Sequence, residues 1–185
     1  SYGVYANSNA LAAADAITVS GNIVRDNSIS GILAYTAVTV IGNTVSGHNY
    51  LYGYGISANG TVTVAGNFVH HNYLGIDSSV ALVDSNRVFA NTTGIQARQS
   101  ATVSNNKIYN NQVGILVTSN ATLLRNNIIY ANTNQGVRIN GTNNVRVIGN
   151  TIFQPVGDGV RLQANSTGIQ VRGNILNVLL GNATV

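Results

Sequence analysis

The sequence predicts an all-β chain wound into a parallel solenoid of about eight coils, with three short strands per coil. Three observations predict it. A Gly-Ile/Val unit recurs eight times, an Asn whose second successor is aliphatic recurs eight times at intervals of 19 to 24 residues, and helix formers are scarce throughout. Across 185 residues Glu is absent, Lys occurs only at Lys107, Gly contributes 20, Pro 1, and Asn about one residue in seven. Such a composition favours strands and turns over helices. With 44% hydrophobic residues against 8% charged, the chain reads as a folded domain and not as a disordered tail.

The first strand of each coil is the glycine unit, at Gly3-Val4, Gly31-Ile32, Gly55-Ile56, Gly75-Ile76, Gly94-Ile95, Gly114-Ile115, Gly136-Val137 and Gly159-Val160. A variable residue and then a small or aliphatic one follow each, the alternation of a half-buried strand. The second strand centres on Val19, Val40, Val64, Val83, Val103, Leu124, Val147 and Val171, and the third on Val24, Val45, Val69, Val88, Ile108, Ile129, Ile152 and Leu176. Between second and third lies the Asn column: Asn22, Asn43, Asn67, Asn86, Asn106, Asn127, Asn150 and Asn174. A lone coil cannot bury its alternate residues, but copies stacked about 4.8 Å apart bury each against its equivalent, so eight coils make a rod of roughly 38 Å. The Asn column is expected to occupy the left-handed turn conformation and to hydrogen-bond amide to amide. A second polar column follows five residues on, at Asn27, His48, Asn72, Asn91, Asn111 and Asn132, and is expected to break at Pro155 and Leu179.

Coils such as Asn106-Lys107-Ile108 leading into Gly114-Ile115 resemble the right-handed single-stranded parallel β-helix proteins of the pectate-lyase-like superfamily, over nearly the full chain. The resemblance implies right-handed coiling, an extracellular or cell-surface setting, and a substrate groove along the outward face of the first strands. Pectate lyases, polygalacturonases, alginate epimerases, phage tailspikes, autotransporter passengers and ice-associated proteins share such coils, so the resemblance speaks to architecture more than to activity. A left-handed hexapeptide helix is the alternative, and its strict coil length is not met.

Outward chemistry is expected from the variable residue of the first strand: Tyr5, Leu33, Ser57, Asp77, Gln96, Leu116, Arg138 and Arg161. Two departures from the minimal coil border this face, one near Asn7 to Ala14 and one between His48 and Tyr54. Phenol rings stack on sugars and hydrogen-bond their rims, and guanidinium groups take carboxylates. Tyr5, Tyr35, Tyr52, Tyr54, Arg138 and Arg161 are therefore the expected substrate-binding residues, with an acidic polysaccharide as partner. Chemistry on a uronate polymer would need a base for the C5 proton, a cation for the carboxylate and a proton donor. The catalytic candidates are Asp77, His70, His71 and Arg98. Alginate epimerases carry Tyr-Gly-Phe-Asp-Pro-His at the matching strand, whereas Leu74-Gly75-Ile76-Asp77-Ser78-Ser79 agrees only at Gly and Asp. Asp77 is accordingly expected to be a solvated face residue and the His pair to decorate a turn. The preferred reading is a non-catalytic rod, a stalk, adhesin segment or polysaccharide-binding surface; the alternative is a polysaccharide lyase or C5-epimerase.

Other classes are excluded in turn. The five aspartates are scattered, without the convergent oxygens of a calcium site or the paired acids of a polygalacturonase, and no metal, phosphate-loop or cofactor motif occurs. With 0 Cys, thiol catalysis and disulfides are impossible. No apolar run is long enough for a membrane span, so no insertion is expected. The threonine column Thr18, Thr39, Thr63 ends at Leu82, too short for an ice-binding face. Arg146 and Arg172 lie on a different strand from Arg138 and Arg161, so no phosphate track for nucleic acid forms. The net charge of +4 divides into −3 over residues 1–86 and +7 over 87–185, which directs an acidic partner to the C-terminal half. The chain is read as one β-helix domain, a segment of a larger protein, whose strand edges invite end-to-end stacking with another β-helix.

Overall fold

A computed structural model describes residues 1–8 and 16–180. Three eight-stranded parallel sheets wrap one core in a right-handed β-helix, and every strand pairs with its equivalents in the adjoining coils. The first sheet runs from Tyr2–Asn7 to Asp158–Gln163, the second from Ile17–Ser20 to Gln170–Arg172 and the third from Ile23–Arg25 to Ile175–Leu180. Register follows the sequence repeat rung by rung, Ile32 to Ile56 to Ile76 to Ile95 to Ile115 to Val137. The Ile residues of that column are fully buried, as are Val64, Val83 and Val103 of the second sheet and Val69, Val88 and Ile108 of the third. Each contributes about 1.5–3 kcal/mol of transfer free energy.

The repeat glycine marks the entry to the first sheet. A Cβ on Gly94 would stand 2.5 Å from the carbonyl oxygen of Gly114, one coil on, and the same approach recurs along the column. Only hydrogen fits between these backbones.

At the turn between second and third sheets, the left-handed residue is not the ladder Asn but the one before it. Gly21, Gly42, Gly66, Ser85, Asn105, Asn126, Gly149 and Gly173 carry φ between 54° and 67°. That twist aims the following Asn side chain inward. From Asn22 to Asn150, each Nδ2 donates to the Oδ1 of the next ladder Asn at 2.9–3.0 Å, and each backbone N–H donates to the same oxygen. The second ladder runs from Asn27 through His48 to Asn132 and then, contrary to expectation, gains another rung before Pro155. Gln154 Oε1 accepts the Asn132 N–H at 3.0 Å and its Nε2 donates to the Asn132 carbonyl. The third-sheet strand there extends over Thr151–Val156, and the longer Gln side chain spans the gap.

Candidate functional site

Side chains on both sides of the repeat glycine meet along the first sheet. Asp158, before Gly159, pairs with Arg161, after it, at 3.1 Å. Tyr54 likewise stands near Asp77 of the next coil: burial raises its phenol above the usual range, and the Asp77 charge adds to the shift while Arg98 opposes it.

The expectation of a solvated Asp77 is overturned, since the residue is 3% exposed. It is flanked in register by Ser57 and Gln96, and Arg98 reaches back one coil so that its Nη2 donates to Asp77 Oδ2. Burial pushes the carboxyl up, against the charge and hydrogen bond of Arg98. Leu33 and Ser57 in the same column are also buried, so the floor is closed from Leu33 to Asp77 and opens at Tyr5 on one side and toward Gln96, Leu116, Arg138 and Arg161 on the other. An outward position in a solenoid is open only when the longer side chains of neighbouring coils leave it so.

Beyond Asp77 the face is polar. Ser79 Oγ donates to Gln99 Oε1 at 2.6 Å, and Gln135 Nε2 donates to Asn134 Oδ1 at 2.8 Å. Among the described residues, four buried side-chain atoms have no hydrogen-bond partner: Asp77 Oδ1, Arg98 Nε, Gln135 Oε1 and Arg138 Nε. All four belong to first-sheet strands. An unmet buried polar atom costs about 1–3 kcal/mol, and all four such atoms lie on one sheet.

The expected binding tyrosines fall into two groups. Tyr5 lies between Tyr2 and Tyr35 with ring centroids 6.1 and 6.0 Å away, on the first two coils. Tyr52, exposed at the tip of the His48 to Tyr54 excursion, sits edge-on to Tyr73 at 6.2 Å, close to the Tyr54–Asp77 group. Arg138 and Arg161 are paired in register on adjoining coils. Part of the excursion near Asn7 to Ala14, residues 9–15, lies outside the described residues.

The two histidines do not join Asp77. His70 lies on the third sheet, its ring stacked on Phe89 at 4.9 Å, and its Nδ1 meets the Nδ1 of His71 at 2.8 Å. Burial and the neighbouring His71 hold the His70 imidazole below its ordinary value. The stack continues through Phe89 to Tyr109 and Tyr130, with centroids 5.1 and 4.9 Å apart and planes within 7°. Sequence reasoning missed this ladder, although its signal is plain: the third residue after the ladder Asn reads His70, Phe89, Tyr109, Tyr130, Phe153 over five successive coils.

The family described as right handed beta helix region matches residues 2–176. Among solved structures, a mutant of the periplasmic alginate epimerase AlgG has a TM-score of 0.60 at 18% identity, covering 82% of this chain and 47% of that one. A second AlgG mutant has a TM-score of 0.54 at 20% identity, covering 84% and 47%. The enzymatically active domain of tailspike protein 2 from bacteriophage CBA120 has a TM-score of 0.61 at 9% identity, covering 90% and 39%. At these identities the likeness is one of fold, and the chain spans less than half of each of these structures. No curated protein matches it by sequence.

Proposed function

This chain belongs to the right-handed β-helix family, and we propose that it is an exported surface module that holds an acidic polysaccharide along the outward face of its first sheet. The observation that carries the reading is the run of reachable arginines on that face, Arg98 and Arg161 with side chains 37% and 45% exposed and Arg138 half-buried on a coil between them. Charge supports it: the face carries Arg98, Arg138 and Arg161, while its carboxylates Asp77 and Asp158 are each already paired with an arginine. Arg138 has no acidic partner among the described residues and is free to take a uronate. Exposed Tyr5 and Tyr52 offer rings on the earlier coils. Retention on alginate and polygalacturonate gels, compared with neutral dextran, tests the reading. The native chain is retained by the acidic gels and released by salt, and Arg138→Gln and Tyr52→Ala elute earlier; equal elution on all three gels would discard it.

A second reading, a uronate lyase or C5-epimerase, is favoured by the state of Asp77. A carboxyl raised by burial is better matched to proton transfer near neutral pH than an ordinary one, and Arg98 beside it would counter the carboxylate of a bound sugar as the C5 proton leaves. Incubation with alginate and pectate distinguishes the readings. Unsaturated ends or C5 hydrogen exchange, lost in Asp77→Asn, would make the module an enzyme, whereas retention without either signal leaves it a binder.

A further inference from the structure

The third sheet presents a surface that the polysaccharide reading does not use. Its two outward columns are Ile23, Thr44, Phe68, Arg87, Lys107, Ile128, Thr151, Ile175 and Arg25, Ser46, His70, Phe89, Tyr109, Tyr130, Phe153, Asn177. Neither contains a carboxylate. At the centre, the Arg87 guanidinium lies 5.6 Å from the Phe68 ring, 5.5 Å from Phe89 and 5.3 Å from Tyr109, and its Nε donates to the Tyr109 hydroxyl at 2.6 Å. Lys107 Nζ sits 5.9 Å from the Tyr130 ring. Neither cation has an ion-pair partner among the described residues. Around them Phe68, Ile128 and Phe153 are 47%, 50% and 38% exposed.

We propose that this face docks on an anionic lipid surface. Uncompensated cations set among exposed apolar side chains are what a layer of acidic headgroups over acyl chains complements. The other occupants fit less well. A two-fold pairing of two copies centred on the patch would set Arg87 and Lys107 against Lys107 and Arg87. A globular protein partner needs about 800 Å² on each side, and a strip of eight coils by three residues offers roughly 400 Å². A sugar or nucleobase would need open ring faces. Those of Phe89 and Tyr109 are covered on both sides by the ladder, which turns only ring edges outward. Ring stacking and the Arg87–Tyr109 bond hold the cations in register, so the face is rigid before it meets a membrane.

Co-sedimentation of the chain with vesicles of phosphatidylcholine alone, and of phosphatidylcholine mixed with phosphatidylglycerol, tests the proposal. Partition onto the mixed vesicles is expected, reversed by high salt, and weakened about fivefold by Lys107→Gln and about tenfold by Phe68→Ser with Ile128→Ser. Leu82→Ser, an exposed second-sheet residue, leaves partition unchanged. Lys107 is an exposed residue whose replacement preserves the fold, so the charge arm stands even where the double apolar variant is unstable. Absence of partition, equal partition onto neutral vesicles, or indifference to Lys107→Gln overturns it. So does alginate binding that is lost in the same third-sheet variants, which would assign the face to polysaccharide. Arg138→Gln, on the first sheet, tests the polysaccharide reading separately and leaves vesicle partition intact.

Discussion

Arg98 crosses one coil to donate to Asp77 Oδ2, yet Asp77 Oδ1 and Arg98 Nε are left buried without partners. The pair is thus half satisfied, and because burial raises the Asp77 carboxyl above its ordinary 3.8, keeping it ionised costs stability at neutral pH. Between that ordinary value and the raised folded one, the native state binds more protons than the unfolded state, so this group's contribution falls as pH rises through the window. Asp77→Asn removes this contribution. It is expected to flatten the pH dependence of thermal unfolding across that window and to leave the neutral-pH midpoint equal or higher, while Arg98, released from its partner, strengthens retention on acidic gels. A midpoint several degrees lower at neutral pH would mean that the ion pair is instead a net stabiliser.

The amide ladder supplies a sharper stability test. Asn106 Nδ2 donates to the Val83 and Ser104 carbonyls and to Asn127 Oδ1, and Asn106 Oδ1 accepts both the N–H and the Nδ2 of Asn86. Asn106→Ala strands several buried groups at once and is expected to cost roughly 3 kcal/mol or more, each unmet group adding about 1–3. Asn22 is exposed at the first rung, and its side chain donates to Ser20 and Asn43. Asn22→Ala is expected to cost under about 1 kcal/mol. Urea unfolding of the two variants measures the difference, and equal losses would refute the ladder's role.

The inward columns are legible in the sequence because a fixed period with alternate apolar residues leaves one way to stack, and Ile76 duly pairs with Ile95. Side-chain environment on the outward face is not legible in the same way. Whether Asp77 is open depends on Ser57 being short and Arg98 being long, one coil before and after, a relation between residues about twenty positions apart. The rung at Gln154 is hidden similarly, since strict five-residue spacing points to Pro155, while a longer side chain one position earlier reaches the Asn132 N–H in its place. Reading the third-strand column outward as well as inward would have exposed the ring ladder from His70 to Tyr130.

His48 makes the second ladder sensitive to acid. Its Nδ1 donates to Asn72 Oδ1 at 2.8 Å and its Nε2 accepts from Asn27 Nδ2 at 3.3 Å, an arrangement that only the neutral ring satisfies. Burial lowers its pKa from the ordinary 6.5, against the Asn72 hydrogen bond and the Asp26 charge. In the unfolded chain it binds a proton more readily, so its stabilising contribution is complete above about 6.5 and is lost as pH falls from there toward the lowered folded value. Thermal midpoints of the native chain are expected to fall across that window, and those of His48→Asn, which keeps an amide at the rung, to fall less. The remaining slope belongs to His70, lowered in the same direction by burial and by His71. A slope unchanged in His48→Asn would place the acid sensitivity elsewhere.

Glycines in this chain serve two separate demands, and substitution tells them apart. Gly94 lies where a Cβ would be 2.5 Å from the Gly114 carbonyl oxygen and 3.0 Å from Asn111 Nδ2, so Gly94→Ala must push neighbouring coils apart. The expected loss is about 3 kcal/mol, the upper end for overpacking, because the obstacle is backbone. Gly66 has φ +61° with nothing within 4 Å of a Cβ, so Gly66→Ala meets only the left-handed penalty of about 1 kcal/mol. Asn105 and Asn126 occupy the equivalent position in later coils at φ 57° and 54°. Gly66→Asn is therefore expected to unfold close to the native midpoint, Gly66→Ala slightly below it and Gly94→Ala far below. Denaturant midpoints in any other order, above all Gly94→Ala matching Gly66→Ala, would show that close backbone contact at the repeat glycine does not set the spacing of the coils.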